Sequence, residues 1–271
     1  MKHISYSARR WFSIALVVGS ILTTGSVQPV LAQYIFIDRF DADSVGAFPS
    51  TWTADTIGSS AKIYVTNGIP AVPSVPNSFQ ISNLSTNEHF AMHRSFPTYS
   101  LNTVSQLVVN YSINVTTIPQ DGSLGFSMMP ANSTAGEETF AALRAYKGSA
   151  ANTWAIQNYY DGLVANNLAL SNWYKLRLEI DPSSTNAQNG VVRWFLNDSF
   201  VHSENFVVPS ITRTNLDSFV VRDTFPTFIP HSVTTFHLDN VFIFAEVPEP
   251  SALMLLVPGA LLFALRRSRS R

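Results

Sequence analysis

The chain is 271 residues long with a formal net charge of −1, 13% charged and 46% hydrophobic residues, and no cysteine. So small a charged fraction beside so much apolar material excludes a disordered polyelectrolyte and a basic nucleic-acid binder, and the missing thiols exclude disulfides, zinc–thiolate sites and cysteine nucleophiles. The charge is unevenly placed: residues 33–250 hold 10 basic and all 18 acidic residues, a net of −8, and the other basic residues lie near the two ends.

In chain order, Lys2, Arg9 and Arg10 precede an apolar run of about a dozen residues that starts at Trp11, and Val30-Leu31-Ala32 offers a cleavage position. Residues 1–32 thus read as a secretory signal peptide, whose core is shorter than the roughly 20 residues of a membrane span. From Gln33 to Glu246 a period of two dominates, with no helical stripe. Strands are expected at 34–40, 62–65, 78–81, 90–96, 106–115, 123–129, 140–146, 154–160, 173–180, 191–196, 200–206, 218–222 and 234–244. Asn67-Gly68, Asp121-Gly122, Asp161-Gly162, Asp181-Pro182 and Asn189-Gly190 supply turns between them. Such closely spaced short strands predict one all-β domain over residues 33–246, a two-sheet antiparallel sandwich. Residues 247–271 differ in kind. Val247-Pro248-Glu249-Pro250 opens onto an apolar stretch to Leu265, followed by Arg266, Arg267, Arg269 and Arg271. This predicts a short transmembrane helix with its arginines left in the cytoplasm, weakened as a permanent anchor by Pro258 and Gly259.

Two resemblances follow from these residues. Pro248-Glu249-Pro250, the hydrophobic segment and the arginine cluster led by Arg266 and Arg267 together resemble the PEP-CTERM sorting signal of exopolysaccharide-producing Gram-negative bacteria. The resemblance covers the last 25 or so residues. It implies an exosortase, a membrane protease-transpeptidase, as processing partner. It also implies an inner-membrane intermediate held by the C-terminal helix, then release to the cell surface or extracellular matrix. Within the body, Trp173-Tyr174-Lys175-Leu176-Arg177-Leu178-Glu179-Ile180 and then Val191-Val192-Arg193-Trp194-Phe195-Leu196-Asn197-Asp198 are similar to concanavalin A-like and laminin-G-like jelly rolls. Ile37-Asp38-Arg39-Phe40-Asp41 and Leu238-Asp239-Asn240-Val241 look like the first and last strands of such domains, which pair side by side.

Linear catalytic motifs are missing. There is no Gly-x-Ser-x-Gly elbow, His-Glu-x-x-His helix or phosphate-binding glycine loop. Glu179-Ile180-Asp181 starts the carboxylate strand that some jelly-roll glycosidases use, but a turn replaces the third acid. His89 and His93 read as surface residues, and alternation splits His202-Ser203-Glu204 across two faces. Asp38, Asp41 and Asp239, with Asp43, would gather where the first and last strands adjoin, a candidate structural calcium site of hard oxygen ligands. Strand parity places Arg144, Tyr146, Gln157, Tyr159, Arg177 and Arg193 on a solvent-facing sheet surface. There their rings and fork-shaped donors suit acidic sugars. The resulting expectation is an exported, non-enzymatic surface or matrix protein that binds exopolysaccharide. A glycan hydrolase or lyase with an unrecognised site, and a purely structural envelope protein, are the competing readings.

Overall fold

The computed structural model describes residues 30–58, 61–69, 77–83, 90–120, 124–132, 141–158, 162–183, 186, 188–207, 214–223 and 233–248. The segment expected as a signal peptide, up to residue 29, and the expected sorting motif beyond Pro248 lie outside them, Glu249, Pro250, Arg266 and Arg267 included, as do Tyr159 and His89. Ala32–Val247 forms one compact unit.

Among the described residues, fifteen strands build that unit. In chain order they are β1 (Val30–Asp38), β2 (Thr53–Ile57), β3 (Lys62–Thr66), β4 (Ser78–Asn83), β5 (Phe90–Ser100), β6 (Gln106–Thr117), β7 (Phe126–Ala131), β8 (Leu143–Lys147), β9 (Thr153–Gln157), β10 (Leu163–Ala169), β11 (Trp173–Pro182), β12 (Asn189–Leu196), β13 (Ser199–Val207), β14 (Asn215–Arg222) and β15 (Thr234–Pro248). Sheet A has the order β13-β12-β11-β6-β15-β4-β3, with β1 also paired to β15. Sheet B has the order β10-β9-β8-β7-β14-β5-β2. The expected adjacency of first and last strands is therefore present. Each of the thirteen expected strands falls on an observed one; β2 and β10 are additional.

The period of two that predicted strands also builds the core. On β11, Leu176, Leu178 and Ile180 are buried, and on β12 Val192 and Trp194, while Arg177, Glu179 and Arg193 take the opposite face. On sheet B, Leu143, Ala145, Trp154, Ile156, Phe219 and Val221 turn inward in the same way. The two inner faces interlock through rings. Phe126 of β7 stacks on Phe236 of β15 with centroids 3.9 Å apart, and Phe219 of β14 lies 5.9 Å from Tyr111 of β6. Each such side chain stabilises the fold by roughly 1.5–3 kcal/mol through burial, and the stacked pairs add about 0.5–1.5 kcal/mol. Asn197 and Asp198, both at positive φ, form the two-residue connection of the β12–β13 hairpin. Asn and Asp tolerate that conformation and thus fix the register.

Candidate functional site

The ligand-binding residues expected on one surface fall on two. Arg177 and Arg193 belong to β11 and β12 of sheet A, whereas Arg144, Tyr146 and Gln157 belong to β8 and β9 of sheet B. Strand parity told which residues face outward but not which sheet a strand joins, so the single six-residue surface does not form. On sheet A the two arginines are engaged. Arg177 meets Glu179 at 2.9 Å and lies over the Phe195 ring at 3.9 Å, and Arg193 pairs with Asp181 and, at 3.5 Å, with Glu179. Glu179 and Asp181, read as an outward acid and a turn residue, are the counter-charges of this surface.

Sheet B presents a different face. With Leu143 and Ala145 buried inside, Arg144 and Tyr146 project outward from β8; with Phe219 and Val221 inside, Arg222 projects from β14. Cα partners run Arg222↔Ser127, Ser127↔Arg144 and Arg144↔Gln157. These four residues thus lie in one row across four adjacent strands. At about 4.8 Å per strand, the two arginines stand about 10 Å apart. Met129, Ala131 and Ala142, packed with Val220, make a small apolar floor beside the row. At the far side His93 pairs with Asp55 at 2.9 Å. Arg222 was not foreseen as a site residue: nothing local in Val220-Val221-Arg222 says that β14 lies between β7 and β5.

At the end of β9 the face meets a titratable cluster. His202 and Glu204, two apart on β13, share its inward face, and only Ser203 is turned away. Asn158 donates from Nδ2 to Glu204 Oε2, with His202 Nε2 at 3.5 Å from the same nitrogen. Asn158 Oδ1 accepts the Gly162 N–H at 2.6 Å. Burial raises the Glu204 carboxyl to about 7, opposed by the Trp194 indole and the Asn158 amide; Trp194 Nε1 and Glu204 Oε1 are neighbours without a well-formed hydrogen bond.

Asp38, the first of the acids expected to hold calcium, has other partners. Asp38 is buried, and its carboxylate accepts from the Phe40 N–H (3.1 Å), Thr51 Oγ1 (3.0 Å) and Trp52 Nε1 (2.9 Å). Asp38 and Asp41 line a cleft of about 450 Å³ together with Arg39 and Arg94, whose guanidinium groups oppose a cation. Asp239 faces Ser112 on sheet A, and among the described residues no three His, Asp or Glu side chains gather as a metal site.

No protein-family model and no curated protein matches the chain. Solved structures do, at low identity. A carbohydrate esterase of the Shiga toxin-encoding bacteriophage phi24B is 8% identical with a TM-score of 0.54, covering 79% of this chain and 99% of its own. The marine PL-14 alginate lyase from Aplysia kurodai is 9% identical with a TM-score of 0.51, covering 79% and 99%. A GH131 β-glucanase catalytic domain from Podospora anserina is 14% identical with a TM-score of 0.50, covering 78% and 95%. The likeness establishes the jelly-roll-type sandwich. It also overturns the expectation of a non-enzymatic protein, which rested on missing linear motifs. The same sandwich serves in a lyase, an esterase and a glucanase.

Proposed function

We propose that this chain is a carbohydrate-active enzyme that cleaves a uronate-bearing polysaccharide on the outer face of sheet B. The observation that carries the reading is the in-register row Arg222–Ser127–Arg144–Gln157 with Tyr146 beside Arg144. Lyase chemistry needs that set of groups. A uronate C5 proton becomes removable once its carboxylate is neutralised. Two guanidinium forks and an amide supply that neutralisation and strengthen as charge moves onto the carboxylate in the transition state. Tyr146, acting as its phenolate, is the proton-transferring group: the C5–H bond breaks with the proton passing to the phenolate oxygen, the electron pair forms the C4–C5 double bond, and the C4–O bond to the neighbouring sugar breaks as the phenol so formed returns that proton to the leaving oxygen. The alginate lyase from Aplysia kurodai has a similar sandwich, so the fold is compatible with elimination. Export belongs to the same proposal. The N-terminal signal and the Pro248-Glu249-Pro250 tail, with an exosortase as partner, would deliver the enzyme through the inner membrane to the surface or matrix, where exopolysaccharide is found.

The test is incubation with polymannuronate, polyguluronate and polyglucuronate, followed by ultraviolet absorbance of unsaturated ends and by reducing-end release. Elimination raises both. Reducing ends without absorbance would mean a hydrolase, and neither would remove the enzymatic reading. Replacing Arg144 by Ala is expected to lower kcat/KM by about 10²–10³-fold, the effect of losing one donor to developing charge, with no rescue by Lys. Tyr146→Phe is expected to lower kcat by about 10²–10⁴-fold.

A further inference from the structure

The outer face of sheet A carries a second row, separate from the arginines just described. Cα partners run Tyr64↔Gln80, Gln80↔His237, His237↔Asn114 and Asn114↔Trp173, so five outward side chains cross five strands in register. Two rings stand at the ends, and Gln80 and the two inner residues lie between. At strand spacing the row is about 19 Å long. The inner residues are buried, with His237 at 2% and Asn114 at 1% exposure, and Trp173 stands edge-on to His237 with centroids 6.5 Å apart. Yet His237 Nδ1, Asn114 Oδ1 and Trp173 Nε1 make no hydrogen bond. Each buried polar atom left so costs about 1–3 kcal/mol, and a folded domain tolerates few of them. Three of them lie within one row on an outer sheet face, where a ligand's hydroxyls can meet them together.

We propose that this row is a second glycan-binding site, for a straight, uncharged chain of β-linked pyranoses. Sugar hydroxyls both donate and accept, which matches an amide acceptor, an indole donor and an imidazole nitrogen that takes either role with its tautomer. Rings at the ends of a flat track suit stacking on sugar faces. In the proposed complex Trp173, part-buried and in register with Asn114, turns aside so that a sugar reaches the buried floor. The row itself is uncharged: burial lowers the His237 pKa to about 4, so its ring is neutral at ordinary pH. One row along, Lys175 is turned to Asp198 at 2.8 Å, so its charge is already matched. A polyanion gains little there, which separates this site from the face of sheet B.

The experiment uses the full chain with cellohexaose and mannohexaose. Saturable quenching of tryptophan fluorescence is expected, with a shift of the His237 ring nitrogens in ¹⁵N spectra. Trp173→Ala and the shape-conserving Asn114→Leu are each expected to weaken binding by at least about tenfold, leaving cleavage of uronate polymers unchanged. If Trp173→Ala does not fold, Trp173→Phe and Asn114→Leu decide. Failure of both hexasaccharides to bind, binding without a response at His237, or full affinity in the folded variants would overturn the site. None of these outcomes depends on whether sheet B is catalytic.

Discussion

Glu204 is the residue whose environment departs most usefully from its composition. A carboxyl raised from 4.5 to about 7 by burial is neutral in the folded protein over a range where the unfolded chain ionises it. The raised pKa fixes the sign. The contribution of Glu204 to stability is complete below about pH 4.5 and is lost as pH rises through 7. Glu204→Gln imitates the neutral form and keeps an acceptor for Asn158 Nδ2. Its gain over the parent should be about a quarter of its full size at pH 5 and level off above pH 8. At 1.36 kcal/mol per pKa unit the shift bounds the gain at about 3 kcal/mol, and solvent screening of a part-exposed carboxyl brings it to about 1–2 kcal/mol. For a domain of this size that is roughly 2–8 °C in Tm. Thermal unfolding at pH 5 and pH 8.5 measures it, and equal shifts at both values would mean that Glu204 does not titrate as described. His202 and Glu204 were separated in the sequence reading because three consecutive residues were considered together. Alternation in fact leaves the outer two on one face, and the missing knowledge was that Asn158 of the other sheet reaches them.

At the scale of elements, the end of β1 is clamped to the start of β2 by one carboxylate. Asp38 collects the Phe40 N–H, Thr51 Oγ1 and Trp52 Nε1, holding Phe40 at φ 57° and Trp52 against Phe79 at 5.4 Å. Asp38→Ala orphans those donors and is expected to cost about 2–5 kcal/mol. A calcium chelator should leave the Tm of the parent unchanged; a chelator-dependent Tm would restore a metal role to this cluster. The strands that the sequence made legible are those with an alternating buried face, such as Leu176, Leu178 and Ile180 of β11. The two it hid, β2 and β10, are the two edges of sheet B. All five residues of Thr53–Ile57 are exposed, and β10 buries only Val164 and Leu168, separated by an irregular register against β9. An edge strand pairs on one side only and need not carry an apolar stripe, so periodicity has nothing to detect. The same limit governs the candidate site. Arg144, Tyr146 and Gln157 were visible as outward residues. Their alignment with Arg222, and their separation from Arg177 and Arg193, follow from strand order, a long-range property set by pairing between residues up to about a hundred apart.

The whole molecule sets the conditions under which a polyanion reaches the row on sheet B. Residues 33–250 carry a net charge of −8, so the long-range field repels a uronate polymer while Arg144 and Arg222 attract it at close range. The two terms respond to salt over different distances. The Debye length shrinks from about 30 Å at 0.01 M to about 8 Å at 0.15 M, which screens the distant acidic surface before it screens a contact pair. The rate constant for productive encounter should accordingly rise with salt first. For the processed body acting on polymannuronate, kcat/KM is expected to increase a few-fold from 0.01 to about 0.15 M sodium chloride. It should fall above about 0.5 M, as the guanidinium–carboxylate contacts weaken. An enzyme steered by its overall field toward an anionic substrate would show the opposite start, with the rate greatest at the lowest salt. A monotonic decline from 0.01 M would therefore mean that a wider basic surface, not the row through Arg144 and Arg222, captures the polymer.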